Sequence, residues 1–362
     1  MPLSDFTVKS RLRDYRVAFQ EPGDYLPRLA AASESFFVVD ENVWRLHKDG
    51  VLKPLCGLPV SVLPISEDLK SLESVRLLYD RIIEKTPKKN MRLVSIGGGI
   101  TQDITGFAAS TLYRGVNWTF IPTTLLAQAD SCIGGKTSLN YKNYKNLVGT
   151  FYPPSEVCIS SSFLPTLKEP DYLSGLGEMA KLAIIGGREP AEAFAGAAEK
   201  LLSRDQAALA SFLREALEIK KGYIEEDEFD SGRRNILNFG HCFGHALESA
   251  TDFAVPHGLA VVYGMLLANI VARRRGLLSP ASEAFMRGRI LLPVLGGRAW
   301  DARAGADAVV SNMRKDKKRT GNQLALVMAL DDFKMLRVSD LEESEARTAI
   351  EELAGEGGGT AG

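Results

Sequence analysis

The sequence predicts an α/β domain built on a parallel sheet, followed by an all-α domain. Three observations carry that expectation. Short apolar runs alternate with helical patterns through the first half, strand signals nearly vanish beyond Pro170, and long helical periodicities fill most of the remainder. Length agrees, since 362 residues suit two domains or three.

Ser35 to Val39 reads as a buried strand that ends at Asp40. Asp68 to Glu84 sets Leu69, Leu72, Val75, Leu77, Leu78 and Ile82 at helical spacing. Arg92 to Ile96 is the next strand, closed by Gly97, Gly98 and Gly99, with a helix expected over Asp103 to Leu112. Trp118 to Ile121, stopped by Pro122, and Val157 to Ser160 complete the strand set. Strands separated by helices of this length pair in parallel. Helices are then expected over 171–185, 190–203, 205–226, 239–251, 257–275 and 280–295, and a short strand over Gln323 to Leu330. The expected domains are 1–168 and 169–354. From Gly355 the chain (GEGGGTAG) has nothing to bury and reads as a flexible tail over 355–362. There is no internal repeat.

Composition excludes several classes. Hydrophobic residues at 45% and charged ones at 25% are globular values, so general disorder is ruled out. With 44 Lys and Arg against 45 Asp and Glu, nothing draws the chain to nucleic acid or an anionic membrane. No uncharged apolar run approaches the roughly 18 residues of a membrane span. The first residues, MPLSDFTVKSRLRDYRVAF, carry charges throughout, unlike a secretory leader. Cys56, Cys132, Cys158 and Cys242 are widely spaced with no paired metal pattern, so a reducing, cytoplasmic setting is expected.

The glycine turn lets the backbone bend tightly, and a helix beginning after it offers free N–H groups to phosphate. The spacing is not GxGxxG, and a plain structural turn explains it equally well. Asp40 stands where a carboxylate can bind a ribose hydroxyl, or simply cap a helix.

Three of the four histidines, His241, His245 and His257, fall close together. On a helix, His241 and His245 project from one face, and a short loop brings His257 back. Such a cluster in so histidine-poor a chain favours a metal site over three separate structural roles. Glu178, among small residues in SGLGEMAK, is a candidate carboxylate ligand. Cations gather on the same elements: Lys136 after Gly134 and Gly135, Lys181 three residues past Glu178, Lys220, Arg234, and a run at Lys315, Lys317, Lys318 and Arg319. A solvated surface is the ordinary reading of that run. Around a metal, the whole set suits a substrate with both carboxylate and phosphate.

GGGITQDITGFAASTLYRG, PTTLLAQADSCIGGKT, KNLVGTFYPP, GLGEMAK and RRNILNFGHCFGHALE, in that order, resemble dehydroquinate synthase and its sugar phosphate cyclase relatives. A weaker echo is KDKKRTG. The resemblance implies a Rossmann-like NAD-binding domain followed by a helical metal-binding domain. It implies NAD contacts at Asp40, Asn42, Glu67, Lys70, Gly98, Gly99, Ile100, Thr101, Asp103, Thr123 and Thr124, with Lys145, Phe163 and Thr166 lining the cofactor. Glu178, His241 and His257 match the ligands of a divalent metal, zinc or cobalt. Lys136, Lys181, Lys220, Asn238 and His245 match positions that act on the substrate, and Arg114, Asp130, Asn146, Arg234 and Lys317 (or its neighbour Lys318) match positions that bind it. A homodimer acting on a small sugar phosphate, with no nucleic acid or membrane partner, follows from the same likeness.

Two positions depart from the family pattern. Leu259 stands where a glutamate is usual, and SLNYKNY precedes Lys145 where a proline and a glycine are usual. Both bear on the choice of substrate. The activity implied first is cyclisation of 3-deoxy-D-arabino-heptulosonate 7-phosphate by transient oxidation, phosphate elimination and aldol closure. Arg234, Lys136 and Asn146 favour this carboxylated substrate. The alternatives are a cyclase of the 2-epi-5-epi-valiolone or 2-deoxy-scyllo-inosose type, and a glycerol dehydrogenase-like alcohol dehydrogenase. Only the last would accumulate NADH.

Overall fold

The computed structural model describes residues 4–85, 89–142, 144–301, 303–314 and 324–357. The chain divides into two compact units, Met1–Lys168 with Ile224–Phe229, and Glu169–Tyr223 with Asp230–Gly362.

The first unit carries strands β1 (Phe6–Val8), β2 (Tyr15–Phe19), β3 (Ser35–Asp40), β4 (Val60–Leu63), β5 (Arg92–Gly97), β6 (Asn117–Pro122), β7 (Lys136–Tyr141), β8 (Tyr144–Phe151) and β9 (Glu156–Ile159). Its helices are α1 (Pro22–Ala31), α2 (Glu41–His47), α3 (Leu72–Lys85) and α4 (Gly99–Thr111). Seven strands form one sheet in the order β1-β2-β9-β6-β5-β3-β4, parallel except for β1 on the edge. Side-chain alternation sends Phe37, Val39, Val94, Ile96, Ile121 and Cys158 to one face, where Tyr25, Leu26 and Leu29 of α1 cover them. On the other face, Gly106 of α4 leaves room for the ring of Trp118. Both faces are therefore apolar, as buried parallel strands require.

Strands β7 and β8 pair separately as an antiparallel hairpin. The end of the long helix over Gln206–Glu226 groups with this unit, because the Lys9 and Arg11 N–H groups donate to Glu225 at 2.7 Å and Glu228 at 2.8 Å.

The second unit contains α5 (Glu169–Ile185), α6 (Arg188–Leu202), most of α7 (Gln206–Glu226), α8 (His241–Ala250), α9 (His257–Arg274), α10 (Pro280–Phe285), α11 (Leu292–Leu295), α12 (Ala306–Arg314) and α13 (Glu343–Gly357). Helices α5 and α9 are buried on nearly every side, which marks them as its core. Strands β10 (Leu324–Ala329) and β11 (Met335–Leu341) form an antiparallel pair. No helix among the described residues is long and apolar enough to cross a membrane.

Several expectations need correction. Helix α4 begins at Gly99 rather than Asp103, so the glycine turn is itself the helix start. The segment 280–295 is helical throughout as expected, but its middle, Met286–Leu291, winds more widely between α10 and α11. Helix α13 runs on through Gly355 to Gly357, past the start of the expected tail. The other tail residues, and Lys315, Lys317, Lys318 and Arg319, lie outside the described residues.

Candidate active site

In the first unit the chain leaves β3 toward β4 on one side and β5 toward β6 on the other. Such a switch point opens a crevice at the carboxyl ends of the strands. Asp40 ends β3 there, and a Cβ on Gly97 at the end of β5 would lie 3.0 Å from the Asp40 Cβ. Asp40 caps α2, accepting from the Asn42 N–H at 2.7 Å and the Val43 N–H at 3.3 Å. Burial nonetheless pushes its carboxyl above the ordinary value, the N–H donors offsetting only part. Gly98 caps α4 with no side-chain partner, and Gly99, Ile100 and Thr101 form the first turn. A Cβ on Gly99 would meet open space, so the N–H groups of this helix end can be approached. Thr123 N–H donates to the Gly97 carbonyl at 3.0 Å, which holds the neighbouring strand end, with Thr124 beside Gly98. Among the described residues, the buried hydroxyl oxygens of Thr101 and Thr123 have no hydrogen-bond partner. This crevice fits a dinucleotide.

A polar network joins other predicted positions to the β7–β8 hairpin. Lys70 Nζ lies 2.6 Å from both Asp103 and Asn146, and Ser138 Oγ meets the same two residues at 2.9 Å. Asn140 bonds Glu67 at 2.9 Å, and Lys145 lies 3.6 Å from the same carboxylate. Asn146 occupies left-handed backbone at φ 51°. Phe163 is a core residue packed edge-on against His47, whose Nε2 lies 3.2 Å from Thr166 Oγ1. Asp130 sits in the wide turn Ala127–Ser131, Lys136 opens β7, and Arg114 is exposed in left-handed backbone after α4.

The second unit brings the histidines together. Ligand nitrogens of His241, His245 and His257 lie within 4.8 Å of one another. Glu178, wholly buried on α5, places Oε1 3.4 Å from His257 Nε2 and 3.9 Å from His241 Nε2. Lys181, one turn on, holds Glu178 Oε2 at 2.5 Å. Burial opposes the Glu178 charge, yet Lys181 and His257 outweigh it and hold the carboxyl well below its usual range. Burial likewise opposes a charged His257, and Glu248 with Glu178 outweighs that too, lifting the imidazole to about 10.

Both ligand candidates on the imidazole side have their second nitrogen engaged. His241 Nδ1 lies 3.2 Å from the Phe239 carbonyl, and His257 Nδ1 lies 3.1 Å from Glu248 Oε2. That leaves each Nε2 turned to Oε1 of the Glu178 carboxylate, while Lys181 holds Oε2. One oxygen and two nitrogen donors around a shared point fit a divalent cation of the zinc or cobalt type.

Glycines let the three helices approach closely. A Cβ on Gly177, beside Glu178, would lie 2.4 Å from the Gly258 carbonyl oxygen, and one on Gly264 of α9 would lie 1.9 Å from that of Gly240. Arg234, on the short helix Arg233–Asn238, is 3% exposed, so it is not a surface arginine. The segment does not run straight into α8, because Gly240 breaks the chain with φ 79°. Lys220 of α7 is also buried. A cavity lined by Asn238, His241, Cys242 and His245 extends to Leu326 of β10 and Arg337 of β11. Sequence reasoning assigned nothing to Glu248. Its spacing, three residues after His245 and seven after His241, was the available signal.

The family model described as 3-dehydroquinate synthase N-terminal matches residues 60–174, and that described as 3-dehydroquinate synthase C-terminal matches 175–319. A 3-dehydroquinate synthase from Clostridium tetani is 40% identical over 243 residues, 67% of this chain and 65% of that protein. One from Dictyoglomus turgidum is 34% identical over 321 residues, 88% of this chain and 89% of that protein. The solved structure of a 2-epi-5-epi-valiolone synthase from Streptomyces hygroscopicus, with NAD+ and Zn2+ bound, superposes with a TM-score of 0.85 at 26% identity, covering 96% of this chain and 99% of the other.

Proposed function

The chain belongs to the dehydroquinate synthase family, and from that premise we propose that it is a 3-dehydroquinate synthase. It is a carbon–oxygen lyase that cyclises 3-deoxy-D-arabino-heptulosonate 7-phosphate to 3-dehydroquinate and releases phosphate. The observation that carries this reading is the buried Glu178 carboxylate facing His241 and His257, in a unit that also buries Arg234 and Lys220.

When bound, NAD and a divalent metal supply reversible hydride transfer and polarisation of a substrate alcohol. The residues of the chain do the rest. Glu178, His241 and His257 hold the metal, and Lys181 fixes the orientation of the Glu178 carboxylate. His245, one turn from His241, moves the substrate hydroxyl proton. Asp40, Asn42, Glu67, Lys70, Gly98 to Thr101, Asp103, Thr123 and Thr124 bind NAD, with Lys145, Phe163 and Thr166 lining it. Arg234 and Lys136 anchor the substrate carboxylate, while Arg114, Asn146 and Lys317 take the phosphate. Asp130, Lys220 and Asn238 complete the substrate set. The family likeness favours a homodimer, and four free thiols suit a cytoplasmic setting.

A second reading rests on Leu259, buried two residues beyond His257, together with the valiolone synthase likeness. It assigns sedoheptulose 7-phosphate, which lacks the carboxylate, as substrate. Incubating the protein with each sugar phosphate and following phosphate release and product mass decides between them. Turnover of sedoheptulose 7-phosphate alone would overturn the first reading.

A further inference from the structure

We propose that Glu248 is a positioning residue for the metal centre, fixing the tautomer and the donor strength of His257. The inference rests on the metal-site reading above and extends it to a residue outside the ligand and substrate sets.

Helix α8 presents His241, His245 and Glu248 at steps of four and three, so all three lie along one stripe. The chain then turns back sharply. Asp252 and Phe253, neither of them glycine, both take left-handed backbone, at φ 48° and 60°. Phe253 N–H donates to the Glu248 carbonyl at 2.8 Å, and Ala254 N–H to the Thr251 carbonyl at 3.0 Å. Two consecutive residues in this region are costly and persist only where surrounding structure holds them. Their result is that His257, the first residue of α9, meets the Glu248 side chain.

The contact has the geometry of an outer-sphere pair. Glu248 is 8% exposed, and its Oε2 lies 3.1 Å from His257 Nδ1. A carboxylate can only accept, so Nδ1 carries a proton toward Glu248, and Nε2, on the side of Glu178, is the nitrogen left to a metal once its own proton is displaced. A buried carboxylate also needs such a partner to offset its lost hydration. His241 differs, since its Nδ1 faces a neutral carbonyl, that of Phe239. His257 is thus the imidazole backed by a full negative charge, which makes it the stronger donor of the two.

The test compares Glu248→Gln and Glu248→Ala with the wild type, each stripped of metal and titrated with Co2+ against a competing chelator. The wild type should show the visible absorption of bound Co2+. Glu248→Gln keeps an acceptor of the same shape without the charge and should bind about 10-fold more weakly, with shifted bands. Glu248→Ala should lose affinity by about 10- to 100-fold. If Glu248 only packs the helix turn, Glu248→Gln keeps wild-type affinity and spectrum whatever its thermal stability, and the proposal fails. If Glu248→Ala does not fold, the Gln variant alone decides. A wild type that binds no Co2+ would instead remove the metal-site reading itself.

Discussion

Gly258 stands so close to Ser174 that a Cβ on it would lie 1.8 Å from the serine carbonyl oxygen, while its N–H donates to the Ser174 hydroxyl at 2.8 Å. Ser174 lies one turn before Glu178 on α5, and Gly258 follows His257 on α9. Backbone contact therefore sets the spacing between the carboxylate and the imidazole. Gly258→Ala should cost about 3 kcal/mol through overpacking and weaken metal binding at the same time. Thermal unfolding with and without metal measures both. A variant with wild-type stability and metal affinity would contradict this account.

NAD should be required without being consumed. Catalytic amounts of NAD should sustain many turnovers of phosphate release with no growth of NADH absorbance. Stoichiometric NADH would point to a dehydrogenase.

Arg234→Lys should lower kcat/KM on the carboxylated heptulosonate by roughly 30- to 1000-fold, equivalent to about 2 to 4 kcal/mol. Lysine cannot copy the paired hydrogen bonds of a guanidinium to a carboxylate. Sedoheptulose 7-phosphate serves as the control, and an equal loss on both substrates would remove the carboxylate role. Burial of Arg234 strengthens the expectation, because a solvated pair is worth at most about 1 kcal/mol.

Metal affinity should rise with pH. In the metal-free protein the His257 imidazole is raised from 6.5 to about 10, with burial opposing its charge and Glu248 and Glu178 prevailing. Because the folded value exceeds the unfolded one, the charged ring stabilises the metal-free fold fully below about 6.5 and loses that effect as pH rises through about 10. A metal must displace this proton, so binding to the folded protein becomes tighter as pH rises toward about 10. Calorimetry in buffers of different ionisation enthalpy should detect release of close to one proton. His257→Ala should abolish the release and weaken metal retention by about 100-fold or more. A flat pH dependence in the wild type would refute the charge assignment.

The parts legible in sequence were those with a strong local signature. Apolar runs marked β3, β5, β6 and β9, and the spacing of His241 and His245 placed both on one helix face. Strands β1 and β2 were missed because FTV and YRVAF are short and surrounded by charges. The β7–β8 hairpin was missed because the apolar residues of SLNYKNYKNLVGTF are interrupted by Lys and Asn and few of them are buried. Its polar side chains bond Asp103 and Lys70 instead of burying a face. Arg234 was identified by type, but its helix is broken from α8 at Gly240, a turn that spacing alone does not reveal. Glu248 was passed over because its partner is nine residues on, across a loop whose shape depends on two unusual backbone angles.

The close helix approach through glycine also bears on the order in which the molecule assembles. The bond from Gly258 to Ser174 spans 84 residues of chain, and the Glu178 and His257 side chains can converge only after that distance has been closed. Contacts of such long range repay the entropy of loop closure late, after local helices have formed. Metal capture during refolding should thus lag the recovery of helical circular dichroism, and the rate of capture becomes a clock for docking of α5 on α9.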